Sequence, residues 1–395
     1  MVVTRITVFQ TRGGQTVDEI EPSKFDWEEQ SNTPETINMT FVDRVADWMN
    51  LFTPWKHSIA LEVGGRCLGG PIIPSNLDGD KNELEVTARG LRFMLDRVPI
   101  LPASALIREL APGGVPDPTL DTTISGVDYG TIGKKLIQQA TVWPGWADIP
   151  IRFHPDRAGS RTRTYAAVDR KRVEDALGDL ESVQNGPDIR LRLERTGPDS
   201  FGWVYESGTE EQPRLQGQVP IAWEPDDLTG LGVQRDPSRM GSISWTQGGR
   251  ADDTTLIRMM YDPYLVERGF PLLHLESGGS STISNPVTAD SWNAETLRTA
   301  RAPWEFWRFA VAADQQPYPY EYGCGDLANL YLSPAIRYRA GLVAGAEMPS
   351  VPGATAGEAI PSYLEARAYT RRIVGISGSS DTDRLTITCG EAYDA

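Results

Sequence analysis

A mainly β fold interrupted by an α+β insertion is what this sequence predicts, and three observations predict it. Short segments alternate apolar and polar residues in period two before residue 120 and again after 214; two segments between them repeat apolar residues every three to four positions; and a Pro/Gly-rich run separates the first region from the second. The 395 residues, with 38 Gly and 29 Pro, suit two or three domains at roughly 100 to 200 residues each. We read them as 1–120, a β domain; 121–213, a smaller α+β domain; and 214–395, a second β domain.

In the first region, Thr4–Gln10 alternates through Ile6 and Val8, Ile37–Phe41 through Met39, and Ser58–Val63 through Ile59 and Leu61. Gly64-Gly65 follows directly and leads into Arg66, Cys67 and Leu68, the signature of a hairpin whose turn needs positive φ. Glu83–Ala88 supplies a further strand, and Asp43–Leu51, with Val45, Trp48 and Met49 at helical intervals, predicts a short helix lying on the sheet. The run Ala111–Pro118 can continue neither a helix nor a central strand, which puts a boundary near 120.

In the second region, Thr131–Ala140 places Ile132, Leu136 and Ile137 on one face, and Arg172–Val183 does the same with Val173, Ala176, Leu177 and Leu180. Strand-like Ile149–Phe153, Asp188–Leu193 and Phe201–Glu206 surround these helices, and the polar run Ser207–Pro213 closes the insertion. Beyond it come strands at Gly241–Trp245, Thr255–Tyr261, Trp304–Ala312, Leu327–Leu332, Tyr363–Thr370 and Arg384–Cys389. Among them Ala289–Ala302 reads as a helix with Thr288 as N-cap and Pro303 as its stop, and Met348–Pro361 as a long loop. No internal repeat of solenoid or propeller period is present.

Composition narrows the function. Thirty-eight Lys and Arg against 54 Asp and Glu leave a formal charge of −16, which opposes long-range attraction to nucleic acid or anionic lipid. No stretch approaches the roughly 20 apolar residues of a membrane-spanning helix, and the first ten residues lack signal-peptide blocks, so we expect a chain made soluble in the cytosol. Cys67, Cys324 and Cys389 are odd in number and far apart, and His57, His154 and His274 stand at no metal-binding spacing. The expectation is reduced thiols, with no metal and no cofactor.

Candidate chemistry is sparse. There is no G-x-S-x-G, no G-x-G-x-x-G and no phosphate-binding loop; Gly278-Gly279-Ser280-Ser281 reads as a flexible tip. Adjacent acids such as Glu28-Glu29, Asp226-Asp227 and Asp252-Asp253 read as exposed pairs. Two features point to contacts. Ile151–Val173 gathers Arg152, Arg157, Arg161, Arg163, Arg170, Lys171 and Arg172 against Asp156 and Asp169, either a face for an acidic partner or a solvated loop and helix surface. Trp143 and Trp146, like Trp304 and Trp307, are either flat platforms for sugars or packing residues, since Trp307, Phe309 and Val311 share one strand face. Arg157, Arg161, Arg163, Trp143 and Trp146 are the candidate partner contacts, and no residue is assigned a catalytic role.

The order of several passages resembles the minor tail proteins of siphophages that infect actinobacteria, of the baseplate-hub or tail-tip kind. These passages are Ile59–Ile73 (IALEVGGRCLGGPII), Glu85–Asp96 (EVTARGLRFMLD), Gly130–Ala140 (GTIGKKLIQQA), Arg163–Asp188, Gly325-Asp326 and Arg371–Cys389 (RRIVGISGSSDTDRLTITC). Residues 335–362 match nothing in that pattern. The resemblance implies two tail-tube-like β domains and a homotrimeric ring around a lumen through which DNA passes without specific binding, in the tail tip of the virion. Its neighbours would be the distal tail protein, the tape-measure protein and tip or fibre proteins. A closed ring would pair sheet edges that would otherwise polymerise, and an acidic lumen would repel passing DNA. Two other functions are open from the residues alone: a tail-associated host-glycan-binding protein using the tryptophans, and a tail-associated cell-wall hydrolase, for which neither a zinc motif nor a cysteine–histidine pair is present.

Overall fold

The structure, a computed structural model, describes residues 3–42, 50–217, 219–251, 254–277, 286–332 and 368–391. Residues 43–49 of the predicted crossing helix Asp43–Leu51, the Gly278–Ser281 tip, the Met348–Pro361 loop and the start of the predicted strand at 363 lie outside the described residues; Asn50 and Leu51 form a turn.

The first region forms seven strands, β1 (Val3–Gln10), β2 (Thr16–Glu19), β3 (Lys24–Gln30), β4 (Thr33–Val42), β5 (His57–Val63), β6 (Arg66–Asp78) and β7 (Glu83–Arg89), followed by a single turn of helix, α1 (Arg92–Leu95). The Gly-Gly pair turns β5 into β6 with φ of 54° at Gly64 and 80° at Gly65, and Val63 lies opposite Arg66, as a two-residue hairpin demands. The insertion contributes β8 (Thr122–Val127), α2 (Tyr129–Ala140), β9 (Ile151–Arg152), β10 (Arg161–Tyr165), α3 (Val173–Glu181), β11 (Ile189–Gly197) and β12 (Ser200–Ser207). Then come β13 (Ile221–Trp223), β14 (Thr229–Asp236), β15 (Ile243–Ala251), β16 (Thr254–Tyr261), β17 (His274–Ser277), α4 (Pro286–Thr299), β18 (Trp304–Ala312), β19 (Leu327–Tyr331), β20 (Ala368–Ser379) and β21 (Arg384–Gly390).

Thirteen of these strands make one sheet, in the order β14-β18-β21-β20-β3-β4-β7-β6-β5-β1-β2, with β19 joining β20 and β13 joining β19. The two ends of the chain meet at β20 and β3, where Ile376 lies opposite Glu29 and Gly378 opposite Trp27. One apolar core follows from that pairing, since Trp27, Ile37, Met39 and Phe41 pack with Trp223, Trp307, Phe309, Ile373 and Ile387. A second core holds the inward faces of α2 and α3 against Leu191, Trp203 and Tyr205, and takes in Phe9, Leu91 and Leu95 from the first region and Trp292 from α4.

Several boundaries differ from the sequence reading for identifiable reasons. The helix α4 already runs at Pro286, so Thr288 is inside its first turn and not its N-cap; proline, with φ preset and no N–H to satisfy, suits a helix start. The strand expected to end at Thr370 continues to Ser379, because its later residues pair on both sides, with β21 and with β3. Arg161 and Arg163 lie on the strand β10, paired with β8, and not on a loop or helix face. Glu28 is exposed but Glu29 is buried, since neighbouring strand residues point to opposite faces.

Candidate functional site

The first turn of α2 gathers three of the five candidate contact residues. Asp128 caps the helix by accepting from the Thr131 backbone N–H at 2.7 Å, and its other oxygen lies 2.7 Å from Arg157 Nε. Arg157 also donates to Ser207 Oγ at 2.7 Å and to the Gly208 carbonyl at 2.8 Å. From β10, Arg161 and Arg163 stand over the Tyr129 ring with guanidinium carbons 4.8 and 4.9 Å from its centre, and Arg161 pairs with Glu210 at 2.8 Å. The basic segment is thus matched by acids from elsewhere in the chain: Arg152 meets Glu194, Lys171 meets Asp179 and Arg172 meets Asp96, each within 3.0 Å.

Trp143 and Trp146 lie on the turn that follows α2, where the Trp146 N–H donates to the Trp143 carbonyl at 3.0 Å. Both are half-buried. Trp143 packs on Leu101, Leu120 and Ala167, and Trp146 packs on the insertion core. Trp307 is fully buried, 4.9 Å from Tyr369, and Trp304 is covered by the Arg239 guanidinium 4.0 Å from its ring. Of the four, Trp307 is thus fully buried and the other three are partly buried.

Beside this cluster a cleft of about 770 Å³ opens between the insertion and the final region, with His154, Arg190 and Ser207 on one wall and Gly217, Gly323 and Asp326 on the other. His154 Nδ1 lies 2.6 Å from the Pro155 carbonyl and Nε2 lies 3.1 Å from Ser207 Oγ. Since Nδ1 must donate to that carbonyl, Nε2 accepts the serine hydroxyl proton. Burial lowers the His154 pKa, which favours the neutral ring. A base beside a hydroxyl is the beginning of a nucleophile, but Ser207 is only 8% exposed, its oxygen is already hydrogen-bonded by Arg157, and a backbone carbonyl stands where a triad has its acid. The arrangement ties the end of β12 to the N-terminus of α2. His154 and Ser207 are 53 positions apart in sequence, so no motif could have joined them.

The opposite wall explains the Gly325-Asp326 passage. Gly325 has φ of 103°, and a Cβ there would stand 1.9 Å from the Leu215 carbonyl oxygen, so only glycine fits. Asp326 then accepts from the backbone N–H groups of Gly217 and Gly323, holding the segment that leaves the insertion against the mouth of β19.

Charged side chains join the insertion to the sheet. Glu29 bonds Arg66 at 2.6 Å and approaches Arg190 at 3.5 Å, and Arg190 shares Glu206 with Arg192. Arg92, 4% exposed, forks onto both Glu174 and Glu181 at 2.7 Å and donates to the Ile189 carbonyl. Glu35 lines a cavity of about 40 Å³ in this seam, and burial, aided by the nearby Glu29 charge, pushes its carboxyl up to about 7. Among the described residues no three His, Cys, Asp or Glu side chains are grouped to hold a metal ion, and no described helix is long and apolar enough to cross a membrane.

Among the described residues the longest run of the large sheet ends at β14 and β2, and the branch through β19 ends at β13; β2 and β14 carry mostly exposed residues. A separate three-stranded sheet, β16-β15-β17, has α4 against one face.

No protein-family model matches the chain, and no curated protein matches it in sequence. Solved structures do match. The tail protein from Neisseria meningitidis MC58 aligns with a TM-score of 0.53 at 12% identity, over 98% of this chain and 97% of its own. The 43 kDa tail protein of prophage MuSo2 from Shewanella oneidensis aligns with a TM-score of 0.53 at 12% identity, over 99% of this chain and 98% of its own. At that identity the likeness is one of fold, and over its described residues this chain has the mainly β fold of those two tail proteins.

Proposed function

We propose that this chain is a structural, non-enzymatic component of a phage tail tip, three copies of which close into a hub ring that joins the tail tube to tip or fibre proteins and leaves a path for DNA. The observation that carries this reading is the match of the fold to two tail proteins over nearly the whole of each chain. That both matched structures are tail proteins supports a structural role. The edge strands of the large sheet, β14 and β2 among them, support the ring, because a cyclic arrangement satisfies such edges without open-ended growth. The same reading makes the chain a virion protein of actinobacterial siphophages, synthesised in the host cytoplasm. Its neighbours are then the distal tail protein, the tape-measure protein and the tip proteins, and its charge of −16 keeps passing DNA from adhering.

Imaging of intact particles with an antibody against this chain tests the proposal. Label at the distal end of the tail, with three copies per particle, is the expected result; particles that lack the chain overturn it.

A further inference from the structure

The small sheet β16-β15-β17 is built inside out. On the face under α4, Ser244 and Thr246 are fully buried and Ser277 nearly so. All three hydroxyls bond the Asn293 side-chain oxygen at 2.8 to 2.9 Å, and Arg258 pairs with Asp290 of the helix. The opposite face carries the apolar residues. The register sets Trp245 opposite Met259 and Ile243 opposite Tyr261, with Ile257 two residues along. Trp245 is 39% exposed, Tyr261 48%, Met259 51% and Ile257 58%. Phe270 and Leu272, exposed 45% and 48%, lie on the segment leading into β17. A sheet normally turns its apolar face to the helix that covers it, so this one is patterned for a second cover.

We propose that this bare face docks against another copy of the same chain, as a contact between neighbouring subunits; the inference rests on the ring reading above and deepens it. Charge argues for a sister copy. The chain carries −16, yet Glu276 is the one carboxylate on the three strands' bare face, where it neighbours Trp245 in register. Two like-charged copies approach at least cost where charge is absent, whereas a basic partner would take its attraction from the acidic surface elsewhere. Area argues the same way. At about 200 Å² for each large side chain, Trp245, Ile257, Met259 and Tyr261 offer on the order of 400 Å² of exposed apolar surface, about half of the roughly 800 Å² per partner in a standard interface. The aliphatic share, Ile257, Met259 and Leu272, fits a protein surface better than a sugar, which needs hydrogen-bonding groups around its aromatic platform.

Light scattering and native mass spectrometry of the full chain across the micromolar range, with Ile257→Asp/Met259→Asp and with Val233→Lys at the edge strand β14, test this. Both sites are exposed, and circular dichroism confirms that each variant folds; Met259→Gln serves if the double variant does not. Expected are concentration-dependent association of the wild type and at least tenfold weaker association of the double variant. If Val233→Lys alone abolishes association, the ring stands and this face is not its contact. A wild type that stays monomeric throughout, or that instead binds host glycan in a manner lost on Trp245→Ala, also overturns the inference, while particle imaging continues to judge the hub reading separately.

Discussion

Replacing Arg92 by alanine would leave Glu174 and Glu181 facing each other in a space from which water is largely excluded. Breaking a buried ion pair by deleting one partner typically costs about 3 to 5 kcal/mol, and here one guanidinium serves both carboxylates. Chemical denaturation of Arg92→Ala should show a loss in that range; a loss under about 1 kcal/mol would mean that the triad is not what anchors α3 to the first region. Glu35 makes a prediction of opposite design. Its folded-state pKa of about 7 lies above the ordinary value of about 4.3 for glutamate, so between those two values the folded chain holds a proton that the unfolded chain lacks. Stability from this group is therefore complete below the lower value and is lost as pH rises through the upper one. Glu35→Gln should flatten the fall in melting temperature between mildly acidic and mildly alkaline pH and leave the variant more stable than wild type on the alkaline side. An unchanged slope would place the titration elsewhere, Glu181 being the next candidate because burial pushes it up to about 7 as well.

The element α2 depends on Asp128 twice, as the N-cap and as the partner of Arg157. Loss of a cap costs about 1 kcal/mol and sometimes about 2, and here a cation is stranded too. Asp128→Ala should lower stability by roughly 2 kcal/mol or more, and Asp128→Asn, which keeps the cap and drops the charge, should recover about half of that in thermal melts. Equal losses would assign the whole effect to the ion pair. Helices such as α2 and α3 were legible in sequence because their apolar residues recur at the helical interval, and the β5–β6 hairpin because its turn requires two glycines. The strand β3 was not, for a physical reason. Lys24, Asp26, Glu28 and Gln30 sit on the outer face, and the inward face ends in Glu29, so charge hides an alternation of Phe25, Trp27 and Glu29 that burial makes plain. The gathering of Arg157, Arg161 and Arg163 against the first turn of α2 was equally hidden, because sequence shows the three arginines but not the Asp128, Tyr129 and Glu210 that meet them.

At the scale of the whole molecule, the broad order of strands, helix pair and strands could be read from the chain, but how the segments are joined could not, since pairing between β3 and β20 links residues some 350 positions apart. The same nonlocality makes Phe9 a test of how far the parts act together. It is a residue of β1 whose ring is fully buried against the insertion, 4.9 Å from Phe201 and 5.6 Å from Trp203. Close by, a Cβ on Gly14 would stand 2.0 Å from the Phe201 carbonyl oxygen, and the Phe201 N–H donates to the Gly14 carbonyl at 2.9 Å, so backbone as well as side chains cross this junction. A chain of this length need not unfold in one step. Contacts that span the junction should nevertheless couple the first region to the insertion, so that neither opens alone at low denaturant. Phe9→Ala should cost about 3 to 5 kcal/mol through the cavity it leaves, and it should shift the transitions seen by far-ultraviolet circular dichroism and by tryptophan fluorescence together. If the two transitions separate, the parts do not unfold together and the coupling inferred from this junction is wrong.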